Sequence, residues 1–557
     1  MIPILTLSEI KDVERNSSQQ HGLTEFDMIM SAGEAVFQSI KVMIEQAEED
    51  DFAESFPPHH DEGRAHEHEQ DNEDPRDTRP VVAFVCGKGH NGADALSAAL
   101  LSAQVGYGVV IYQLHADRYS PEIQRLHKQL ADTDLKLHLI RSAVDLPVFH
   151  NVDLVVDGIL GSGIQDEPRD LLPSLIHGIN RSGLPVLSID VPSGVNCDSN
   201  AVKGSAVKAS TTLCLGAMKL SAAFFPASSS YGKVDYSPIC FDEKLLVNQP
   251  SRMEMYTEDD ALDNLPSKNY RSTKYSSGKV LILSGCRGMH GAAALAANAA
   301  LRAGAGLVRA VVPAGIYGDI SAHLLEVIGT PVGSDDDYCF TPDHIPQIQP
   351  WIEWADSILI GPGLGRDPRT AKFMDLVMPL LNGRRVVVDG DGLAYFDPAF
   401  PERRQGKGLE QFVVTPHAGE YKRMGGRYDY DAPLKLLDDL RTFSQSGSIG
   451  MVLKGPTTIF AGPDGKHIII PAGNPGMATA GTGDVLAGIL AAFLTRHSRE
   501  EAAPLAVFLH GRSGDAARRD RGTLGMAASD LILYLPLAIK ELEDLLLEFE
   551  DDDEEDI

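Results

Sequence analysis

Short apolar runs that end in glycine-rich turns recur along this chain, and this pattern constrains its fold more than any other feature. Each run is apolar throughout rather than alternating, and examples are VVAFVCG, LVVDGIL, GKVLILSG and SILIGPG. Such runs predict strands that are buried on both faces. Because helix-length segments separate them, we predict an α/β fold with parallel sheets covered by helices on both sides.

The strand series occurs twice, and 557 residues exceed what one hydrophobic core usually organises. We therefore predict two three-layer α/β/α domains. The first covers residues 1–243 and carries an acidic insertion at residues 45–79. A linker at 244–255 leads to the second domain at 256–543, and an acidic tail at 544–557 ends the chain.

The net charge of −30 is concentrated in two segments, residues 45–79 and residues 541–557, each with a net charge of −11. Polar, charged stretches of this kind are typical of solvated appendages. We expect the histidines of the first stretch to belong to a polar tract rather than a metal site; they are His59, His60, His66 and His68. Residues 1–44 are spaced for amphipathic helices. The acidic balance argues against nucleic acid or an anionic membrane as partner.

Cysteine spacing and the lengths of apolar runs bear on the compartment. The six cysteines are scattered without a CxxC pair, which predicts reduced thiols and a cytoplasmic location. The first residues, MIPILTLSEI, lack the basic segment and long apolar run of a signal peptide. No apolar run approaches the ~20 residues needed to span a bilayer. The run Val485–Leu494 is predicted to be a buried helix.

A glycine loop, GKGHNG, joins the first buried strand to the next helix. Residues 87–92 match G-x-G-x-x-G, and Asp117 lies 25 positions after the last glycine, so the literal pattern suggests a dinucleotide-dependent dehydrogenase. The glycines and the helix N-terminus indicate only a site for an anionic group, which could belong to a cofactor or to a substrate. Oxygen-bearing side chains at other strand ends, Asn91, Asp157 and Ser193, either bind an alkali or alkaline-earth cation or cap the following helices.

Four ordered motifs of the first half resemble the NAD(P)H-hydrate epimerase family, the YjeF N-terminal domain; they are GKGHNGADA, DGILGSG, DVPSG and GAMKLSAAFFP. The resemblance implies that potassium is coordinated by Asn91, Asp157 and Ser193. It also implies that the hydrated nicotinamide dinucleotide is bound by His90, Asn91, Gly92, Ala93, Asp94, Gly161, Ser162, Gly163, Ile164, Gln165, Asp166, Glu167 and Asp190.

The first glycine loop departs from that family, whose sequence usually reads GNNGGDG. His90 replaces an asparagine, and Ala93 and Ala95 replace glycines. Each alanine adds a Cβ where close backbone approach is expected. We therefore expect lower substrate affinity or a lower epimerase rate, with activity retained through Asn91 and Asp94.

A second glycine loop, GNPGMATAGTGD, precedes an apolar helix in the second half. Gly481 and Gly483 free backbone amides to point at one anion, and the helix dipole adds positive potential there. Asp484 is predicted to be the base for a substrate hydroxyl rather than only a dipole partner. Lys454, at a strand end and followed by glycine, is predicted to face nucleotide phosphates.

These features resemble the ribokinase-like superfamily. Within it, the ordered set GMHGAAALAANAALRAGAGLVR, GPGLG, VDGDGL, TPHAGE, KGPTT and GNPGMATAGTGDVLAG closely resembles the NAD(P)H-hydrate dehydratase family over about residues 256–540. The family's DADAL reads DGDGL here, which keeps Asp389 and Asp391. The resemblance implies that the hydrate contacts Ala292, Gly365, His417 and Asp484. It implies a nucleotide site formed by Lys454, Gly455, Pro456, Thr457, Thr458, Gly481 and Gly483.

The two resemblances together imply repair of hydrated NADH and NADPH, called NADHX and NADPHX. Phosphorylating the ring hydroxyl would turn it into a good leaving group, and elimination would restore the double bond. Magnesium would bridge the phosphates, and ADP, the usual choice of fused bacterial members, would be the co-substrate. The first half would interconvert the two epimers of the hydrate, and a homo-oligomer is expected.

Two other functions stay open at this point. A ribokinase-type kinase for a vitamin or sugar would use the same glycine loops but leave the phosphate on its product. The first half could instead be a non-catalytic binding module. The residues also leave open the choice between ADP and ATP and between NADHX and NADPHX.

Overall fold

The computed structural model describes residues 1–55, 79–397 and 408–555. The chain divides into two compact units, Pro3–Ser251 and Arg252–Ile557, the latter joined by Met1–Ile2. Both units carry a mostly parallel sheet with helices, so the predicted fold class is confirmed. In the part of the chain that the structure describes, no helix has the length and apolar character needed to cross a membrane.

The first unit follows a strand–helix alternation. Its elements are β1 (Ile2–Leu5), α1 (Leu7–His21), α2 (Glu25–Ser55), β2 (Val81–Cys86), α3 (His90–Gln104), β3 (Gly108–Leu114), α4 (Pro121–Ala131), β4 (Leu137–Ile140), β5 (Leu154–Gly158), α5 (Leu172–Arg181), β6 (Val186–Ile189), β7 (Thr211–Leu215), β8 (Met218–Lys219), α6 (Leu220–Ala223), β9 (Lys233–Ser237) and α7 (Glu243–Val247).

The sheet of this unit is parallel, in the order β4-β3-β2-β5-β6-β7-β9. Alternate residues of β2 enter different cores: Phe84 packs with α2, α3 and α4, whereas Val85 packs with α5. The strand is thus buried on both faces, as its continuous apolar run predicts. Chain order reverses between β2 and β5, and ligands of doubly wound sheets bind at such a point, beyond the carboxyl ends of the strands.

The second unit continues the alternation. Its elements are β10 (Met253–Met255), α8 (Glu258–Asp263), β11 (Lys279–Leu283), α9 (Gly291–Arg302), β12 (Leu307–Pro313), α10 (Ala314–Ser321), β13 (Ile328–Val332), α11 (Ile345–Trp354), β14 (Ser357–Ile360), α12 (Pro368–Val377), β15 (Val386–Val388), β16 (Phe412–Val414), α13 (Ala418–Arg423), α14 (Pro433–Gly447), β17 (Gly450–Leu453), β18 (Thr458–Ala461), β19 (His467–Ile470), α15 (Thr482–Phe493), α16 (Arg499–Arg521) and α17 (Ala528–Glu555).

The strands of this unit lie in the order β13-β12-β11-β14-β15-β16-β17-β18-β19-β10. The pairs from β13 to β17 are parallel, while β18 is antiparallel to both of its neighbours. Residues Val485–Phe493 of α15 are all buried, which confirms the predicted buried helix. Helix α15 packs closely on α9, because a Cβ on Gly488 would overlap with the Ala296 carbonyl oxygen.

The N-terminal region differs from the prediction in two ways. The first residues form β1 rather than a helix, because Ile4 and Leu5 pair in parallel with β8. Helix α2 also continues through Ser55, into the segment predicted as an acidic insertion. Residues 56–78, which include the four histidines of that insertion, lie outside the described residues.

The predicted linker and tail also contain regular structure. Helix α7, capped by Asp242, begins at Glu243 and continues into the predicted linker. At the end of the linker, β10 pairs in parallel with β19. Helix α17 runs through Glu555 and therefore includes most of the acidic tail. Residues 398–407 and 556–557 lie outside the described residues.

The close contact between α9 and α15 gives a stability prediction. We expect Gly488→Ala to lower the free energy of unfolding by about 1–3 kcal/mol, because overpacking forces the helices apart. Denaturant unfolding of the full chain measures this. In the control Gly318→Ala, on α10, the added Cβ meets nothing within 4 Å. The control should be neutral or slightly stabilised; equal unfolding midpoints for the two variants would contradict the packing argument.

Candidate functional site

A cavity of about 950 Å³ opens in the first unit beyond the ends of β2, β5 and β6. Its lining includes the glycine loop after β2, residues 159–164 after β5, and Asp190 after β6. One face each of α1 and α2 completes the wall. The volume falls within the ~300–1,000 Å³ typical of small-molecule sites.

The three glycines of the first loop have different roles. A Cβ on Gly87 would overlap with the Ile159 carbonyl oxygen, and one on Gly92 would overlap with the Gly87 carbonyl oxygen. A Cβ on Gly89 would meet nothing within 4 Å, and this glycine faces the cavity. Asp117 is exposed and does not line the cavity, so the acidic residue expected of a dehydrogenase is not at this site.

The structure brings many of the predicted substrate residues together. Those that line the cavity are His90, Asn91, Asp94, Gly161, Ser162, Gly163, Ile164 and Asp190. Gly92 is buried, and Gln165, Asp166 and Glu167 are exposed outside the lining. Ala93 and Ala95 are fully buried in the core, and the Ala95 methyl group packs beside Gly158. The two alanines therefore do not narrow the cavity, and the expected loss of affinity finds no support at these positions.

The three predicted potassium ligands meet around the loop after β5. Asn91 Nδ2 donates to the Leu160 carbonyl oxygen at 2.9 Å, and the Leu160 amide donates to Ser193 Oγ at 2.9 Å. Ser193 Oγ in turn donates to Asp157 at 2.6 Å. An amide, a hydroxyl and a carboxylate, all hard oxygen donors, are thus adjacent.

Asp157 is fully buried, and its carboxylate accepts four hydrogen bonds. The donors are the hydroxyls of Ser188 and Ser193 and the backbone amides of Ile159 and Ser193. Burial raises the pKa of Asp157, and these hydrogen bonds oppose the rise. No cationic side chain among the described residues contributes to that pKa. A monovalent cation would neutralise the carboxylate, so the residues fit potassium if one hydrogen-bond donor gives way.

A buried ion pair lies on the wall of the same cavity. Lys219, only 1% exposed, pairs with Asp190 and also donates to the carbonyl oxygens of Leu215 and Ala217, both at 2.7 Å. Asp190 has a left-handed backbone with φ +67°, a conformation that residues other than glycine adopt infrequently. Lys219 is absent from the predicted site residues, although a lysine inside the apolar motif GAMKLSAAFFP was an available signal.

The second site forms where α15 begins beside the ends of β15, β16 and β17. Gly481 caps α15 with φ +92°, and a Cβ there would lie 2.7 Å from Leu295 Cδ1. A Cβ on Gly483 would lie 3.1 Å from Lys454 Nζ, so glycine lets the ammonium approach the helix start. Lys454 Nζ also donates to Asp389 Oδ1 at 2.7 Å, and Thr415 Oγ1 donates to the same oxygen at 2.6 Å.

Asp484 lies in the first turn of α15, within this charged cluster. Burial, together with the nearby carboxylate of Asp389, raises the pKa of Asp484 to about 7, although Lys454 opposes the rise. Burial disfavours the charge of Lys454, but Asp389 and Glu420 hold its pKa above the ordinary value. Asp484 thus titrates near neutrality, where a general base is most effective, while Lys454 stays charged.

The remaining predicted hydrate contacts surround the cluster. His417 and Lys454 are joined by a parallel bridge between the ends of β16 and β17. His417 caps α13, because its Nδ1 accepts from the Gly419 amide at 2.9 Å. The Gly365 amide donates to Asp391 at 3.0 Å, and Asp391 contributes to the pKa of Asp484. Ala292 lies next to the glycine loop that contains Gly363 and Gly365. A Cβ added to Gly363 would lie 3.0 Å from the Cβ of Ala292.

The predicted nucleotide loop follows β17. Gly455 and Pro456 are exposed, while Thr457 is buried with its hydroxyl 3.0 Å from the hydroxyl of Tyr430. Thr458 begins β18. The loop therefore presents an exposed backbone next to Lys454, in reach of a nucleotide.

Helix α16 contacts both ends of the second glycine loop through four residues. We call these residues the α16 clamp: His510, Gly511, Gly514 and Asp515. His510 Nε2 donates to the Thr482 carbonyl oxygen at 3.0 Å, at the start of α15. Asp515 accepts from Asn474 Nδ2 at 2.9 Å and from the Gly473 amide at 3.2 Å. The two glycines leave room for residues 472–473 and Met477.

Burial lowers the pKa of His510 to about 4, so the imidazole is neutral near pH 7 and its Nε2 carries the proton that a carbonyl acceptor requires. None of the clamp residues was predicted as functional. They lie 28–42 positions after the loop residues that they contact, and no local sequence pattern marks them.

Two family profiles match the chain. One, described as YjeF-related protein N-terminus, matches residues 25–221, and one described as NAD(P)H-hydrate dehydratase matches residues 280–537. A bifunctional NAD(P)H-hydrate repair enzyme Nnr from Moorella thermoacetica is 34% identical over 477 residues, 84% of this chain and 88% of that protein. The chain belongs to this family of bifunctional repair enzymes.

Two further proteins are similar to this chain. The repair enzyme Nnr of Escherichia coli is 28% identical over 530 residues, 95% of this chain and 92% of that protein. The solved ADP/ATP-dependent NAD(P)H-hydrate dehydratase of Bacillus subtilis, co-crystallized with ATP and Mg²⁺, is 27% identical. It covers 52% of this chain and 98% of its own, with a TM-score of 0.44.

The α16 clamp gives a prediction for the second site. Replacing His510 by Leu removes the donor to Thr482, so the anion hole should lose its geometry and dehydratase kcat should fall about 10-fold or more. His510→Gln, which can still donate at the Nε2 position, should restore part of that loss. Steady-state kinetics with the hydrated dinucleotide measures both variants.

The control for the clamp is Arg518→Ala, an exposed residue of the same helix, which should behave like the unmodified enzyme. Equal kcat for His510→Leu and Arg518→Ala would contradict the positioning role, as would a loss that His510→Gln shares in full.

Proposed function

We propose that the chain repairs hydrated NADH and NADPH with two active sites. The first unit interconverts the two epimers of the hydrate, and the second dehydrates the S epimer while consuming ADP. The observation that carries the second half of this proposal is Asp484. It has a pKa of about 7 and lies beside the helix start that Gly481 and Gly483 open to an anion.

The second site supplies each part of a phosphoryl transfer followed by elimination. Asp484 takes the proton of the ring hydroxyl, whose oxygen then attacks the terminal phosphoryl group of the nucleotide. The first-turn amides of α15 and the Lys454 ammonium stabilise the charge on the transferred group. Phosphate then leaves with the C–O bonding electrons, a ring proton is lost, and the double bond of the reduced nicotinamide returns. With ADP as donor, the products are AMP and phosphate.

Magnesium at this site would be held mainly by the nucleotide. Within the described ranges, no group of three or more His, Cys, Asp and Glu side chains is placed to hold a metal ion. Asp389 and Asp391 do offer carboxylate oxygens near Asp484. Magnesium usually binds one or two carboxylates and completes its shell with phosphates and water, so this donor set fits. When bound, it would neutralise phosphate charge.

The first site binds and positions the hydrate. The Asn91, Asp157 and Ser193 oxygens would hold potassium, which would neutralise the buried carboxylate beneath the loop. The helix start at His90 and the loop of residues 161–164 face the cavity, where backbone amides would meet the dinucleotide phosphates. Lysine and arginine side chains that also line the cavity, and that were not predicted, are Lys11, Arg15, Lys88, Arg141, Arg169 and Lys219.

The proposal extends to the setting of the enzyme. All six cysteines are unpaired in the structure, as in a reducing cytoplasm. We also propose a homo-oligomer, in which each chain keeps both activities.

A base mutation tests the dehydratase. We expect Asp484→Asn to lower dehydratase kcat by about 10²–10⁴-fold, because it removes the proton acceptor. The assay follows NADH absorbance after mixing the S hydrate, ADP or ATP, and magnesium. Asp319→Asn, an exposed carboxylate on α10, is the matched control and should keep full activity. Recovery of NADH by Asp484→Asn at the control's rate would refute the assigned base, and no recovery by the unmodified enzyme would refute the dehydratase.

The pH dependence of the same reaction tests the environment of Asp484. Since the base acts only when ionised, kcat/KM for dehydration should rise as pH passes through about 7, the pKa that burial and Asp389 impose on Asp484. A profile already flat from pH 5 upward would show an ordinary carboxylate pKa. The residual activity of Asp484→Asn should lack the step.

A further inference from the structure

One wall of the first cavity comes from α1, ahead of the motifs and ahead of residue 25, where the family match begins. The α1 residues that line the cavity are Leu7, Ile10, Lys11, Glu14, Arg15 and Ser18. Most of them recur every three or four positions, so they form one face of the helix. Among them, Glu14 alone has an acidic side chain.

Glu14 belongs to a cluster of three carboxyl groups in this cavity. The carboxyl groups of Asp190 and Asp94 interact electrostatically with Glu14 as like charges. The basic groups of His90, Lys219 and Lys11 interact with it as opposite charges. Three separate elements supply the carboxyls: Glu14 from α1, Asp94 from α3 and Asp190 from the loop after β6. All three line the same cavity.

The members of the cluster are not equivalent. Lys219 is buried and fixed by two carbonyl oxygens and by its ion pair with Asp190. The side chain of Glu14 makes no hydrogen bond within the described residues, so its carboxyl can approach a ligand in the cavity. Burial and the nearby carboxylate of Asp190 raise the pKa of Glu14, although His90 and Lys219 oppose the rise. Burial also raises the pKa of Asp94 well above its ordinary value.

The chemistry of the hydrate requires such a pair of groups. Hydration of the ring double bond places the hydroxyl on the carbon next to the ring nitrogen. To invert that carbon, the hydroxyl must leave as water while the nitrogen lone pair forms a C=N bond. Water then adds to the other face and gives up a proton. One acid and one base are therefore needed near neutral pH.

Resting on the epimerase function proposed above, we propose that Glu14 is a catalytic residue of the first site, and that its carboxyl donates the proton that lets the ring hydroxyl leave. The carboxylate of Asp190 accepts the proton of the water that adds. The C–O bond breaks with its electron pair on oxygen, and the new C–O bond forms from the lone pair of water. Each turnover moves one proton from Glu14 to Asp190, and exchange with solvent restores both groups.

The full-length enzyme provides a test with an internal control. The R hydrate yields NADH only after epimerisation, whereas the S hydrate feeds the second site directly. With the R hydrate and excess ADP and magnesium, Glu14→Gln should lower kcat of NADH recovery about 10²-fold or more while KM changes little. With the S hydrate it should match the unmodified enzyme. Glu14→Asp, which keeps the acid on a shorter side chain, should regain part of the rate.

Glu34→Gln is the control, an exposed carboxylate on α2 that does not line the cavity, and it should leave both rates unchanged. A Glu14→Gln enzyme with kcat within threefold of Glu34→Gln would overturn the proposal, and so would a change in KM alone, which indicates binding only. If the unmodified enzyme converts the R hydrate no faster than buffer, the epimerase function itself fails, and the role of Glu14 fails with it.

Oxygen isotopes test the bond that breaks. In H₂¹⁸O, each inversion by the unmodified enzyme should place one ¹⁸O on the ring carbon, measured by mass spectrometry of the epimerised hydrate with the nucleotide omitted. Inversion without label would show that the C–O bond stays intact and would overturn the assigned proton donation.

Discussion

The ion pair between Lys454 and Asp389 underlies the second site. Because Asp389 holds the ammonium at 2.7 Å, Lys454 stays charged and fixed beside Gly483, where the proposed function places the phosphate. Burial is the main cause of the raised pKa of Asp484, and the carboxylate of Asp389 is the second. In the proposed mechanism, this one pair therefore prepares both a cation for the phosphoryl group and a base for the hydroxyl. Losing either partner would leave an uncompensated charge in a partly buried site, which commonly costs about 3–5 kcal/mol.

The first site repeats this arrangement with different elements. Lys219 and Asp190 form a buried pair beyond the sheet's carboxyl edge, and Glu14 and Asp94 nearby have raised pKa values. In both units, a fixed lysine–aspartate pair stands beside a carboxyl group with a raised pKa. Carboxyl groups with environments that separate their pKa values are the usual way in which acid and base roles are divided.

Local sequence motifs predicted many of the residues that line the two sites. Asp484 and Lys454 each follow a strand or glycine turn whose backbone geometry is set within a few residues, and the structure brings them together. Asn91, Asp157 and Ser193 converge because parallel strands end at one edge of a sheet. The sequence did not reveal His510, Asp515 or Glu14. Their proposed roles come from helix faces turned toward distant parts of the fold, and nothing near them in sequence indicates which part each one faces.

The sequence also did not predict in which direction the side chains of Ala93 and Ala95 point. Ala93 and Ala95 occupy positions that suggested a narrowed loop, but α3 turns both methyl groups into the core. The continuation of α2 and α17 into acidic segments shows the same limit. Charge alone predicts solvation, whereas an acidic stretch can continue a helix whose preceding turns are packed.

The fate of the transferred phosphate tests the central claim most directly. Phosphorus-31 NMR of the enzyme with the S hydrate, ADP and magnesium should show AMP and free phosphate appearing in equal amounts, matched by the NADH formed. A phosphate signal that remains on a stable organic product, with no NADH, would contradict the account and make the second site a kinase.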